Sequence, residues 1–416
     1  MKHLITPIAL AAAFTLSNCN SPAKKAAEST SYPSKPVFNL YDDPNRFADV
    51  EILRYDVPGF EKLSLNQKLL VYYLSEAALC GRDMIYDQNN KNNLRLRKTL
   101  EELYVNYEGD KKANEFRYFE VYLKRFWMSN GIHHHYAENK LQAEFSSDFL
   151  MKMISASPKA QLPVGDSKDT TAFKKWLTDI IFNPAIEAKR VNKADGIDQI
   201  KESANNFYDG LTLKEVKAYY DPKKANDTVE PLSWGLNSKL VKENGKLVEK
   251  TWKVGGMYGA SISKIVEWLT KAMSVAETAE QKAAMQLLID FYKSGDLKTW
   301  DAYNIAWVKD VNSSIDYING FIEVYHDAIG MRANYESAIE INDAEASKRM
   351  AIIAANAQWF EDNSPINKEH KKSKVVGITY KVVNVAMEAG DLAPSTAIGV
   401  TYQMQNGSEK NMALNL

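Results

Sequence analysis

The sequence predicts an α+β fold, mostly helical with a small β-barrel or sheet among the helices. Three observations carry this. Capped runs with apolar residues at helical spacing recur along the chain. An Asn-Gly pair, Asn244-Gly245, sits between two segments rich in strand-forming residues. A β-branched stretch, Val375 to Val385, has the composition of a further strand.

The helices come first. Ser64 with Gln67 forms a capping box ahead of Leu65, Leu69, Leu70 and Tyr73, and Gly81 is a natural stop. Thr212 with Glu215 repeats the same logic. Ile262, Ile265, Val266, Leu269 and Met273 mark one face of a helix from Ser261 to Met273. Thr278 with Gln281 opens another, with Ala284, Leu287, Leu288 and Phe291 inward and Gly295 as its end. A long final helix is expected from Asn334 to Phe360. Strands are expected at Phe126 to Tyr136, and in a hairpin of Leu232 to Val241 with Leu247 to Tyr258. Gly255-Gly256-Met257-Tyr258-Gly259 follows that hairpin and reads as a close-packed strand end.

The 416 residues are 45% hydrophobic and carry 52 Lys+Arg against 53 Asp+Glu, a formal net charge of -1. The length allows two or three domains. The even charge balance argues against nucleic acid and against an acidic membrane face as partners. Two cysteines, Cys19 and Cys80, cannot make a disulfide framework, and Cys80 reads as a small core residue.

Leu4 to Leu16 has the length of a signal-peptide core and is too short to span a bilayer. The following Leu16-Ser17-Asn18-Cys19 resembles a bacterial lipoprotein box, which makes Cys19 the lipidated residue. The Ser/Ala/Lys/Pro stretch after it reads as a flexible tether. The expected location is the bacterial cell envelope, with membrane contact only through the lipid.

Chemistry-bearing motifs are few. A zinc hydrolase needs two or three imidazoles or carboxylates close together, with an open position for water. The six histidines contain no His-Glu-x-x-His pair. On a strand, His133 and His135 would share one face, and a third ligand is lacking. There is no Gly-x-Ser-x-Gly elbow and no phosphate-binding loop. The stretch from Trp300 to Glu336 mixes carboxylates with aromatics in a loop-like context. It suits either a peptide's charged amino end or a solvated loop.

That stretch also carries a resemblance. Gly320-Phe321-Ile322-Glu323-Val324-Tyr325, with Asp327 and Gly330, resembles a signature block of the dipeptidyl peptidase III family. Tyr303 to Val308, Leu236 to Val241, Val254 to Tyr258 and Asn130 to Tyr136 are similar to further blocks in the family's order. The resemblance covers residues 40 to 400 and implies a two-lobed zinc peptidase that removes dipeptides from the amino end of short peptides. By that likeness Asp316, Tyr317, Glu323 and the strand Thr396-Ala397-Ile398-Gly399-Val400 are substrate-binding, with short peptides as partners. The family's zinc motifs lie further along than these residues. No metal ligand and no catalytic residue therefore carries over, no cofactor is expected within this chain, and these residues alone are expected to be inactive. The alternative is a non-catalytic peptide-binding envelope lipoprotein.

The leader reading and the resemblance together divide the chain into a signal peptide (1–18), a tether (19–36) and, by the resemblance, a lower, substrate-cradling lobe with a small barrel (37–330). The start of a helical upper lobe (331–374), a return strand lining the cleft (375–400) and a tail (401–416) follow. The upper-lobe helix is expected to leave Ala338, Ile339, Met350, Ile352, Ile353 and Trp359 facing solvent. The family pattern continues past Val400 as Asn-Leu-Pro-Asn. Permitted codons for Thr401 to Leu416, read one base earlier, give Asn-Leu-Pro-Asn-Ala-Lys-Trp-Ile-Arg-Lys-Glu-His-Gly-Ser-Lys-Ser. The expectation is an out-of-frame tail, short of apolar residues and with no core to join.

Overall fold

The computed structural model describes residues 46–416 apart from 54–55, 166–167, 228, 230, 376–377, 395–400, 404–412 and 416. Cys19, the signal and tether segments, Thr396 to Val400 and most of the tail therefore lie outside the described residues.

Helices dominate. In chain order they are α1 (Leu65–Cys80), α2 (Arg82–Asn89), α3 (Asn93–Asn106), α4 (Asn114–Met128), α5 (Ser147–Ser155) and α6 (Thr170–Phe182). After them come α7 (Leu213–Ala225), α8 (Gly259–Met273), α9 (Ala279–Ser294), α10 (Leu297–Lys309), α11 (Ala344–Ala355) and α12 (Ala357–Asn363). Both capping boxes form: Ser64 accepts from the Gln67 amide and Thr212 from the Glu215 amide, with the reciprocal side-chain bonds present. Thr278 caps α9, and Gly295 ends it at φ 72°, a conformation a side chain would strain.

The strands are short: β1 (Arg46–Phe47), β2 (Val50–Glu51), β3 (Tyr208–Asp209), β4 (Ser238–Glu243), β5 (Lys246–Thr251), β6 (Ile315–Phe321), β7 (Tyr335–Asn342), β8 (Ile378–Tyr380), β9 (Val383–Gly390), β10 (Thr401–Gln403) and β11 (Ala413–Asn415). They pair as β1-β2, β3-β4-β5, β6-β7-β9 and β10-β11-β8. The α+β class stands, but among the described residues the sheets are separate and no barrel closes. The expected hairpin is β4-β5, with Asn244 and Gly245 at φ 49° and 76°, the positive values that a two-residue turn requires.

Four local expectations are corrected. Asn334 to Phe360 is not one helix: β7 occupies its first part, pairs with β6 and β9, and is buried almost throughout. Tyr335, Ser337, Ile339 and Ile341 alternate with Glu336, Ala338 and Glu340, a period of two that overrides the apparent helical spacing. Ala338 and Ile339 are accordingly buried, whereas Ile352, Ile353 and Trp359 on α11 and α12 are exposed as expected. Phe126 to Tyr136 is not a strand, because α4 runs on to Met128 and then breaks at Asn130 and Gly131, both at positive φ. Trp300 to Glu336 is not one loop but most of α10, then β6 and a connecting segment. Val375 to Val385 splits into β8 and β9. Of the tail, 401–403 and 413–415 are strands paired in the sheet with β8.

The main core lies between the β6-β7-β9 sheet and helices α1, α8, α9 and α10. Each fully buried Leu, Ile or Phe there stabilises by roughly 1.5–3 kcal/mol. Packing is close where α1 ends: a Cβ on Gly81 would fall 1.9 Å from the Tyr335 ring. A second core joins α2 to α6 through Leu100, Phe119, Phe126 and Leu177. Cys80 is half-buried against the main core.

Candidate functional site

The residues between β6 and β7 are held by their own turn chemistry. Asp327 and Gly330 close a turn, Gly330 N–H donating to the Asp327 carbonyl at 3.1 Å. The Asp327 carboxylate then accepts from the amides of Met331 at 2.8 Å and Arg332 at 2.9 Å, and from the Tyr208 hydroxyl at 2.9 Å. Arg332 is fully buried, its guanidinium over the rings of Tyr208 and Tyr220, and it donates to both hydroxyls. Before and after this turn the chain stays strand-like, with Ile322 N–H on the Asn334 carbonyl and Asn334 N–H on that of Glu323. The segment is thus rigid, and it carries Glu323 at a fixed place.

Glu323 lines a cavity of about 590 Å³ walled by Trp234, Trp300, Trp307, Ile322 and Val324. Trp300 reaches it because Gly320 is bare: a Cβ there would lie 2.6 Å from the indole. Burial raises the Glu323 carboxyl, partly offset by a hydrogen bond from Tyr325. Among the described residues no basic side chain forms an ion pair with Glu323. Its backbone N–H donates to Glu336 at 2.8 Å, and burial with the nearby Asp391 holds the Glu336 carboxyl well above its usual range. The arrangement is a half-buried carboxylate, backed by a second buried carboxyl whose ionisation is disfavoured and faced by indoles, with room for a cation that has an apolar body.

The other substrate-binding candidates are placed differently. Asp316 and Tyr317 are neighbours in β6 and so point to opposite faces. Asp316 accepts from the Trp307 indole at 3.0 Å and pairs with Lys381 at 3.1 Å. It touches the cavity through that indole. Tyr317 faces the main core and is 1% exposed. Thr396 to Val400 lie outside the described residues. Sequence reasoning missed Glu336 and Asp391 as neighbours of Glu323; their only signal, carboxylates on a strand and just beyond a strand end, needs the strands first.

The histidine run forms no metal site. His133 is buried and its Nε2 lies 2.7 Å from the Glu187 carbonyl. The His134 Nδ1 accepts two backbone amides, and its ring stacks on His135. Among the described residues no three His, Cys, Asp or Glu could hold a metal ion, so zinc does not fit them.

The model of peptidase family M49 matches residues 202–399, which include the Glu323 segment and both sheets beside it. Over this stretch the chain is similar to the dipeptidyl peptidase III family. It is 22% identical over 375 residues to dipeptidyl peptidase 3 of Mus musculus, covering 81% of this chain and 50% of that one. The same enzyme of Homo sapiens is 22% identical over 376 residues, with the same coverage. In fold it is similar to dipeptidyl peptidase III of Caldithrix abyssi, with a TM-score of 0.59 and 17% identity over 87% of this chain and 56% of the other. The enzyme of Corallococcus sp. strain EGB gives a TM-score of 0.58 at 17% identity, covering 87% of this chain and 55% of that chain. This chain spans about half the length of the curated dipeptidyl peptidase III relatives it matches.

Proposed function

We propose that this chain cradles the amino end of a short peptide, with Glu323 as the anchor for the ammonium group, as part of a dipeptidyl peptidase. The observation that carries the proposal is Glu323 itself: a half-buried carboxylate without a basic partner among the described residues, at the rim of an indole-walled cavity. An ammonium supplies the missing charge and donates charge-assisted hydrogen bonds. The indoles accept the apolar side chain beside it. Asp316 contributes by fixing Trp307, and Tyr317 by holding β6 in the core. The strand Thr396 to Val400 is proposed to run along the peptide backbone.

Hydrolysis belongs to zinc chemistry, which the resemblance implies and which the described residues do not fit. The 416 residues by themselves are proposed to bind peptides without cleaving them. Export and anchoring through a lipid on Cys19 is a separate proposal, resting on Leu4 to Cys19. Replacing Cys19 by Ala should release the protein from the membrane fraction, and an unaltered distribution would count against the anchor.

Calorimetry tests the peptide reading. A tetrapeptide with a free amino end should bind about tenfold or more tighter than its N-acetylated form, the worth of a charged hydrogen bond. Equal affinities would overturn the proposal.

A further inference from the structure

Next to the Glu323 segment lies a buried group of charges that the proposed peptide site does not use. His326 is 8% exposed. Its Nδ1 is 2.7 Å from the Glu138 carboxylate, and its Nε2 is 3.0–3.1 Å from the two oxygens of Asp391. The same Nε2 is 3.4 Å from an Arg190 guanidinium nitrogen. Arg190, 1% exposed, also holds Glu138 at 2.7 Å and the His135 carbonyl at 2.9 Å. The imidazole thus joins segments far apart in sequence: 133–140, 188–192, the β6–β7 connection, and Asp391 just after β9.

We infer that His326 is a proton-operated clamp on the 322–334 segment. With a proton on Nε2 it ties that segment to Asp391 and Glu138; on losing the proton it turns to Arg190 and lets Asp391 go.

The geometry demands a choice. Asp391 can only accept and Arg190 can only donate, yet both face one ring nitrogen. A protonated Nε2 donates to Asp391, and Nδ1–H donates to Glu138, so two carboxylates are answered by two N–H groups. A neutral ring that keeps Nδ1–H for Glu138 presents a lone pair at Nε2. That lone pair repels Asp391 and accepts from Arg190. The proton goes to solvent, and no other bond changes. Glu138, Arg190 and Asp391 face the imidazole directly. His135, Glu323 and Glu336 stand behind Arg190 and Asp391, and Asp327 follows in the same segment, already committed to Tyr208 and three amides.

The electrostatics favour the clamped form. Burial and Arg190 pull the imidazole down, but Asp391 and Glu138 outweigh them and hold it above its ordinary value. Burial opposes ionisation of Glu138, yet hydrogen bonds from His326 and Arg190 bring it down to about 2. A histidine raised in the folded state gives stabilisation that is complete below its unfolded value and is lost as pH rises through the folded one. The clamp therefore stays closed through the ordinary histidine range and opens only as pH rises past the raised His326 value. It bears on the proposed peptide site only because Glu323 and Tyr325 ride on the clamped segment.

The test needs no peptide, so its outcome is independent of the peptide reading. Imidazole resonances and amide exchange are followed on the full chain across pH, with exchange corrected for its intrinsic pH dependence. The expected result is a His326 titration above about 6.5. Protection of the Met331, Arg332 and Asn334 amides should fall about tenfold through the same midpoint. Asp391→Asn should lower that midpoint, and His326→Gln should abolish the pH dependence of protection. The wild-type titration decides the matter should either variant fail to fold. A His326 that titrates at or below its ordinary value, or protection that ignores its titration, would overturn the clamp.

Discussion

Asp327→Ala is the substitution that tests the rigidity of the Glu323 segment. Asp327 is fully buried, and its carboxylate accepts four hydrogen bonds, three of them from backbone amides. Truncation leaves the Met331 and Arg332 amides without an acceptor, each costing about 1–3 kcal/mol when buried. It also strips negative charge from beside Arg332, which is 0% exposed and otherwise meets neutral tyrosine hydroxyls. The amide terms overlap, so the expected loss is about 3–5 kcal/mol against a typical total stability of about 5–15 kcal/mol. Asp327→Asn keeps the shape and one acceptor oxygen and should lose about half as much. Urea denaturation read by tryptophan fluorescence measures both, since Trp234, Trp300 and Trp307 surround the adjoining cavity. A loss under about 1 kcal/mol, as for an exposed ion pair, would refute the claim that this carboxylate organises the segment.

Other outcomes follow from the same geometry. Glu340 sits opposite Asp316 in the sheet with one oxygen unpartnered, and burial, reinforced by Asp316 and Glu388, pushes its carboxyl up to about 8. An acid raised on folding holds its proton longer folded than unfolded, so its cost grows as pH rises from the ordinary value to about 8. Glu340→Gln should therefore stabilise by about 2–4 kcal/mol at pH 9 and hardly at all at pH 4; equal effects at both would contradict this. Gly320→Ala should push the Trp300 indole into the cavity and shift its emission, and an unchanged spectrum with unchanged stability would show that the contact gives way freely. Glu323→Gln should cost about 1.5–3 kcal/mol of affinity for free-amino peptides and nothing for acetylated ones. Wild-type affinity should rise as pH climbs through the elevated Glu323 value and fall near pH 8, about where the peptide amine loses its proton.

Much of the helical part was legible because it is written locally. Ser64 with Gln67, Thr212 with Glu215, Thr278 and Gly295 each state a boundary within a few residues, and the structure follows them. The Asn244-Gly245 turn is equally local. Strands β6 and β7 were not legible, because they are covered on both faces. Ile315 to Phe321 and Tyr335 to Ile341 are buried throughout, so no run of exposed polar residues betrays the alternation. Reading Tyr335, Ser337, Ile339 and Ile341 at period two would have recovered β7 and placed Glu336 behind Glu323. The expected closed barrel failed for a related reason: strand-forming composition says that strands exist, not which of them pair. Glu323 itself was found through its motif. Its neighbours Asp391 and His326, just past the two edge strands β9 and β6, are brought together only by the fold.

The most direct measurement is a crystal structure of the chain with a free-amino tetrapeptide. The account predicts the peptide nitrogen at about 3 Å from a Glu323 carboxylate oxygen, with the first side chain against Trp300 or Trp307. A peptide seated with its carboxyl end toward Glu323, or lodged outside the indole-walled cavity, would contradict it.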